Sequence, residues 1–170
     1  QLSGKTAWAS VGVDGYEHSV AAGGSPKDIE TILQLMYLNF TSPRFDQTDL
    51  DNLKKMYIPY FNNMESDPNY ICSKELQKTL YGDHVRRQIT SGAQIEALNI
   101  PDLQKIHSKL YNYANDFRFV IVGNVDLNTL QPLVEKYIGS LPTSKKSGYA
   151  VVDDGVRMAK GTVTNDFRTA

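Results

Sequence analysis

The side chains in this sequence that could hold a metal or activate a nucleophile are few and dispersed. His18, His84 and His107 are the three histidines, and Cys72 is the single cysteine. No histidine is followed by a carboxylate at i+3 and a second histidine, so neither H-E-x-x-H nor H-x-x-E-H is present. A lone strand histidine such as His18, without a second His or Cys at ligand spacing, reads as a packing or surface residue and not as a zinc ligand. His107 borders an apolar helical stripe and reads the same way. One cysteine forms no internal disulfide and reads as a small buried hydrophobe. No G-x-S-x-G elbow, no phosphate-binding G-x-x-x-x-G-K-[ST] and no G-x-G-x-x-G after a strand is found. Asp153-Asp154 is a paired acid in a polar stretch and reads as a solvated charge. The local basic cluster is Arg86-Arg87, beside His84, in GDHVRRQITSG. A solvated loop is its ordinary reading. As loops carry function, Tyr81, Arg86 and Arg87 are the candidates for contact with a polypeptide.

These residues sit in a chain of 170 residues, about one domain, large enough to bury roughly 70% of its unfolded surface without disulfide or metal. It is 41% hydrophobic and 22% charged, with a net charge of −1 and scattered Lys and Arg. That balance argues against a nucleic-acid surface, which needs a basic stripe. No run is long enough to span a membrane. No signal-peptide pattern opens the sequence, which begins at Gln1 and is read as a fragment.

The elements that must position the candidates follow from periodicity. Residues 5–22 alternate as two strands around Asp14-Gly15, a hairpin signal. Ser25, Pro26 and Asp28 form an S-x-x-D helix start, followed by a stripe of Ile29, Ile32, Leu33, Met36, Tyr37 and Phe40. Asp46, with Asp49 at N3, caps a second helix whose buried side is Leu50, Leu53, Tyr57, Tyr60, Phe61 and Met64. Pro59 inside it predicts a kink or break near Ile58. Asp67-Pro68 opens a third helix to Tyr81, closed by Gly82, with Ile71, Cys72, Leu76 and Leu80 inward. Residues 94–98 form a short helical turn, and Pro101 restarts a helix with Leu103, Ile106, Leu110 and Tyr111 inward. The strongest pattern runs from Asp116 to Pro142. Phe117, Phe119 and Ile121 face one way and Val120 and Val122 the other, which predicts a buried central strand. Asp126, with Thr129 at N3, then caps a helix bearing Leu127, Leu130, Leu133, Val134, Tyr137 and Ile138. Gly139 and Pro142 end it. Residues 143–160 read as a polar linker, and Gly161 to Phe167 as the beginning of another strand.

Several stretches, in order, resemble peptidase family M16, the pitrilysin/insulinase group of zinc proteases. They are Gly24 to Glu30, Leu33 to Arg44, Leu80 to His84, Asp116 to Asp126 and Leu133 to Pro142. The similarity is greatest to the inactive domain in the second half of the large bacterial, PqqL-like members. The resemblance implies an α+β, LuxS/metalloprotease-like fold, with helices on one face of a mainly antiparallel sheet. It implies that residues 1–142 are a non-catalytic domain incomplete at its N-terminus, with a leading strand and helix upstream. Residues 143–160 would be a linker and 161–170 the start of the next domain. In the family, H-x-x-E-H and a distant Glu hold a zinc that activates water. The helix from Asp46 to Met64 stands where active domains carry that Glu, and its middle, Lys54 to Tyr60, has no acid. No metal or catalytic role therefore carries over to any residue here. Zinc would belong to a catalytic domain elsewhere in the parent, and the isolated chain would be inactive.

The function implied is to enclose and position peptide against that catalytic domain. Its partners would be other domains of the parent chain and unfolded polypeptide. The alternative is a structural or assembly module of a parent that has lost protease activity. A third reading, an independent binding domain, lacks a convergent polar cluster. By the resemblance, the periplasm is favoured, with the cytoplasm as the alternative.

Overall fold

The computed structural model describes residues 2–144, 152–164 and 166. The chain is α+β and divides into two compact units, Gln1–Arg44 with Gln104–Tyr149, and Phe45–Leu103 with Ala150–Ala170.

The first unit opens on an antiparallel hairpin of β1 (Ala7–Val13) and β2 (His18–Gly24). Asp14 and Glu17 close it around Gly15-Tyr16, with the Asp14 N–H donating to the Glu17 carbonyl at 2.8 Å. Trp8 stands opposite Gly23, and its ring lies where a side chain on residue 23 would be. After a 3-10 turn at Pro26–Asp28 comes helix α1, Ile29–Thr41. Its predicted stripe is inward: Ile32, Leu33, Met36 and Phe40 are buried, with Ile29 and Tyr37 packed beside the core. The predicted cap is corrected. Ser25 makes no side-chain cap bond, and Asp28 is buried, accepting the Thr6 N–H at 3.0 Å. Asp28 thus ties the hairpin to the start of α1, which an S-x-x-D pattern could not reveal.

Helices α5 (Ile100–Tyr111) and α6 (Leu127–Tyr137) supply the remaining core residues of this unit, Tyr111 and Tyr137, with Ala114 and Leu141. Tyr111 is 2% exposed, and its hydroxyl donates to the carbonyls of Gly12 (2.8 Å) and Ser19 (3.3 Å). Asp126 caps α6 as expected, accepting the Thr129 N–H at 3.0 Å. Of the predicted stripe, Leu130, Leu133, Val134, Tyr137 and Ile138 turn inward, while Leu127, in the first turn, is exposed.

The α1–α6 seam carries one polar knot. Glu30 accepts from Lys136 Nζ at 3.0 Å and from the Tyr137 hydroxyl at 2.8 Å, and Gln34 donates to that hydroxyl at 2.9 Å. The bond from Lys136, then that from Tyr137, holds the Glu30 carboxyl below its ordinary range. A carboxyl lowered by folding contributes stability above its unfolded value and loses it as pH falls through the folded one. The stability gap between wild type and Glu30→Gln is therefore expected to be present at pH 7. It should shrink as pH drops below the ordinary glutamate value of 4.5. Urea melts across that range check it, and a gap that widens in acid would contradict the knot.

The predicted central strand at 117–122 is the main correction. Phe117 is extended, with φ −113° and ψ 150°, but 117–122 forms no strand, and the described sheet has two strands only. Phe117 and Phe119 pack on the core, while Ile121 is 42% exposed, Val120 74% and Val122 92%. A strand needs a partner backbone beside it, and among the described residues no strand pairs with 117–122.

The second unit holds α2 (Gln47–Met64), α3 (Pro68–Tyr81) and the short α4 (Gly92–Glu96). Asp46 and Asp67 cap α2 and α3, each accepting two backbone N–H groups of the first turn. Ser91 and Gln94 form a reciprocal capping box on α4. Of the kink or break expected near Ile58, the break is absent: α2 runs unbroken through Pro59. Its apolar side is largely open: Leu50 is buried, but Leu53, Tyr57 and Tyr60 are exposed. On α3 the buried residue is Tyr70, and Cys72 and Leu76 are exposed, contrary to the predicted inward face. Residues 161–164 and 166 form no strand; the rest of the predicted strand, and 145–151 of the predicted linker, lie outside the described residues.

Candidate functional site

The three histidines go to separate structural uses. His18 stands edge-on to the rings of Tyr111 (5.6 Å) and Phe117 (4.9 Å). His107 stacks on Tyr111 at 4.9 Å and places Nε2 2.7 Å from the Asn39 carbonyl. His84 Nδ1 accepts the Arg86 N–H at 3.3 Å, so Nε2 is the protonated nitrogen, donating to the Asp154 carbonyl at 2.9 Å. Among the described residues no three of His, Cys, Asp and Glu gather closely enough to hold a metal. The described residues do not fit a zinc centre.

The basic loop, in the second unit, is more organised than a solvated run. Val85–Arg87 is a single 3-10 turn capped by His84. Arg87 lays its guanidinium over the Tyr81 ring, 5.0 Å from its centroid, in cation–π contact. Its Nε is buried without a hydrogen-bond partner among the described residues. Arg86 Nε stands 3.9 Å from Asp154 Oδ2, and the Ala159 N–H donates to the Leu80 carbonyl at 2.7 Å. Two of the three sequence candidates, Tyr81 and Arg87, are thus brought together, and Arg86 points to the acidic turn at 153–154. That turn is fastened in its own right. Asp153 is paired with Arg157, whose hydrogen bond leads in holding the carboxyl down at about 2.

The first unit contains a feature that no residue motif announced, a groove of about 960 Å³ lined by polar and apolar groups alike. One wall is β2, from His18 to Gly24, and the other is the extended stretch 116–123. The floor is the inner face of α1, at Ile29, Leu33, Met36 and Phe40. The Phe40 ring meets Phe117 at 4.8 Å and Phe119 at 6.0 Å below it. Glu17, Asp116 and Arg118 add charge to the lining. The sequence signal for it was the two-sided apolar pattern of 117–122, which asks for neighbours on both edges.

Fold and site together define an α+β domain that carries a groove and an ordered basic loop, but no assembled reacting group among its described residues. Residues 97–166 match the family described as Peptidase M16 inactive domain. It is 25% identical over 140 residues to the "Zinc protease PQQL-like" of Arabidopsis thaliana, covering 82% of this chain and 14% of that protein. It is 20% identical over 129 residues to the "Probable zinc protease PqqL" of Haemophilus influenzae, covering 76% and 14% respectively. The solved structure of the periplasmic protease PqqL from Escherichia coli shares the fold, with a TM-score of 0.75 at 22% identity over 93% of this chain and 17% of that one. The chain spans about 14% of the length of the curated relatives it matches. Among the described residues no helix is long and apolar enough to cross a membrane.

Proposed function

We propose that this chain is the non-catalytic domain of a zinc metalloendopeptidase of family M16, helping to enclose and position peptide against a catalytic domain elsewhere in a longer polypeptide. The observation that carries the reading is the match of residues 97–166 to the M16 inactive domain. Residues 1–142 are the domain, with a LuxS/metalloprotease-like fold completed by sequence outside this chain. Residues 143–160 are a linker and 161–170 the start of the next domain. The parent carries the zinc. The name of the E. coli structural relative supports a periplasmic location. A domain that closes on substrate contributes by excluding water and fixing orientation without supplying a reacting group.

Arg86, half exposed beside Asp154, is the residue of the basic loop best placed to reach a peptide carbonyl or carboxylate. In the full-length protein, chelator-sensitive hydrolysis of unfolded peptides is expected. Arg86→Ala should lower kcat/KM by about fivefold or more, with zinc content and melting temperature unchanged. Wild-type kinetics in this variant would remove the loop from the mechanism. A full-length protein without zinc or hydrolysis would instead establish the assembly-module alternative.

A further inference from the structure

Residues 152–160, the described part of the stretch read as a linker, belong to the second unit and do not run free. They open on a turn that holds its own shape. Asp153 accepts the Gly155 N–H at 3.0 Å and pairs with Arg157, and Asp154 Oδ1 accepts the Val156 N–H at 3.0 Å. The segment is then fastened at both ends to one place, the end of α3 and the loop after it. At its start the Asp154 carbonyl accepts from His84 Nε2 at 2.9 Å, and the Asp154 carboxylate stands 3.9 Å from Arg86 Nε. At its end the Ala159 N–H donates to the Leu80 carbonyl at 2.7 Å. These attachments bracket Tyr81, the ring on which Arg87 is stacked.

Both of the elements so held are weak on their own. The final carbonyls of a helix have no partner within it, and Leu80 is the last residue but one of α3. The bond from Ala159 therefore closes a helix end. Packing does little to hold that end, because the buried residue of α3, Tyr70, lies in its first turn. Val85–Arg87 is a single turn, and one turn of helix is unstable by its own bonds. Segments held by few buried contacts open locally, and they open as contiguous units.

We infer that residues 153–159 are a latch. Seated on Leu80, His84 and Arg86, it orders the end of α3 and the loop from Tyr81 to Arg87; displaced, it lets both unwind together. The chain leaves the latch through Gly161, which sits in the left-handed region at φ +87°. A pull on the chain beyond Gly161 reaches Ala159 before Asp154, and so removes the bond on Leu80 first. The position of whatever follows is thereby coupled to the order of the basic loop, which a segment that merely spans two domains would not do. The latch stands on these contacts alone, while its consequence for peptide rests on the reading of Arg86 as a peptide contact.

Amide hydrogen exchange in the full-length protein tests this. In wild type the Ala159 amide should be protected about tenfold or more over the unfolded-chain rate. Ala159→Pro removes the donor. The amides of Arg86 and Arg87, whose own bonds go to His84, should then exchange about tenfold faster or more. Those of Ile71 and Ile95, bonded to Asp67 and Ser91, should stay within about twofold of wild type. Ala159→Gly keeps the N–H and should leave Arg86 and Arg87 as in wild type. Because proline can also disturb the turn, Asp154→Ala cuts the latch at its other end. The Ala159 amide should exchange about tenfold faster in that variant, since the segment seats as a unit. Three results would each overturn the latch: an Ala159 amide at the unfolded-chain rate in wild type, unchanged Arg86 and Arg87 amides in Ala159→Pro, or an unchanged Ala159 amide in Asp154→Ala. Peptide hydrolysis is measured separately on each variant. Coupled exchange with wild-type kcat/KM sinks the peptide-contact reading and leaves the latch, whereas lowered kcat/KM with uncoupled exchange sinks the latch alone.

Discussion

Phe40→Ala is expected to destabilise the first unit by about 3–5 kcal/mol, the range for removing a buried phenylalanine where the surroundings collapse only in part. Phe40 is 7% exposed and touches three rings: Tyr111 at 6.2 Å, Phe117 at 4.8 Å and Phe119 at 6.0 Å. It lies at the C-terminal end of α1 and holds the extended stretch 117–119 to the core without any hydrogen bond from that stretch to a strand. Loss of its ring removes apolar burial and frees Phe117 and Phe119 together, so the groove loses its floor and one wall. Ile121→Ala, two residues further along the same stretch, should cost far less, about 1 kcal/mol or under, because Ile121 is 42% exposed. Urea melts of the two variants separate the cases. Equal losses would mean that 117–122 is packed as a unit and that the exposure of its second half is wrong.

What the sequence made legible divides along the range of the forces involved. Caps are local: an Asp followed by free N–H groups two and three residues on is enough, and Asp46, Asp67 and Asp126 all cap as their positions predict. The stripe of α1 was legible because this chain supplies what covers it. The stripe of α2 and the inward face of α3 were not, and Tyr57, Tyr60, Cys72 and Leu76 stand exposed. Periodicity says that a face is apolar, but whether anything covers it depends on atoms elsewhere. The stretch 117–122 is the extreme case. Its two-sided apolar pattern describes the demand for two neighbouring strands, and no described residue meets that demand. The site was legible to the same degree. The basic loop could be picked out by charge, but the stacking of Arg87 on Tyr81 and the hold of Asp154 on His84 and Arg86 depend on chain separations that no local pattern encodes.

Gly24→Ala should be nearly as damaging as the loss of Phe40, although it adds only one methyl group. Gly24 sits at φ +155°, a backbone conformation that residues with a Cβ rarely adopt, and a Cβ there would fall 1.8 Å from the Thr6 carbonyl oxygen. The clash is with backbone that has no room to yield. That same carbonyl accepts the Ser25 N–H at 2.9 Å, and the Thr6 N–H donates to buried Asp28 at 3.0 Å. Relief therefore breaks the clamp that joins the hairpin to the start of α1, in addition to straining residue 24. Backbone strain and overpacking each contribute about 1–3 kcal/mol, so a loss on the order of 3 kcal/mol is expected. Gly15→Ala is the control: a Cβ on residue 15, in the turn of the same hairpin, meets nothing within 4 Å, and its effect should stay within about 0.5 kcal/mol. Trp8 reports both, since it is the single tryptophan and sits on β1 opposite Gly23. Urea melts followed by its fluorescence should show an early transition for Gly24→Ala and a wild-type midpoint for Gly15→Ala. Coincident midpoints would show that Thr6 can move away from residue 24, and that Asp28 does not fasten the hairpin to the helix.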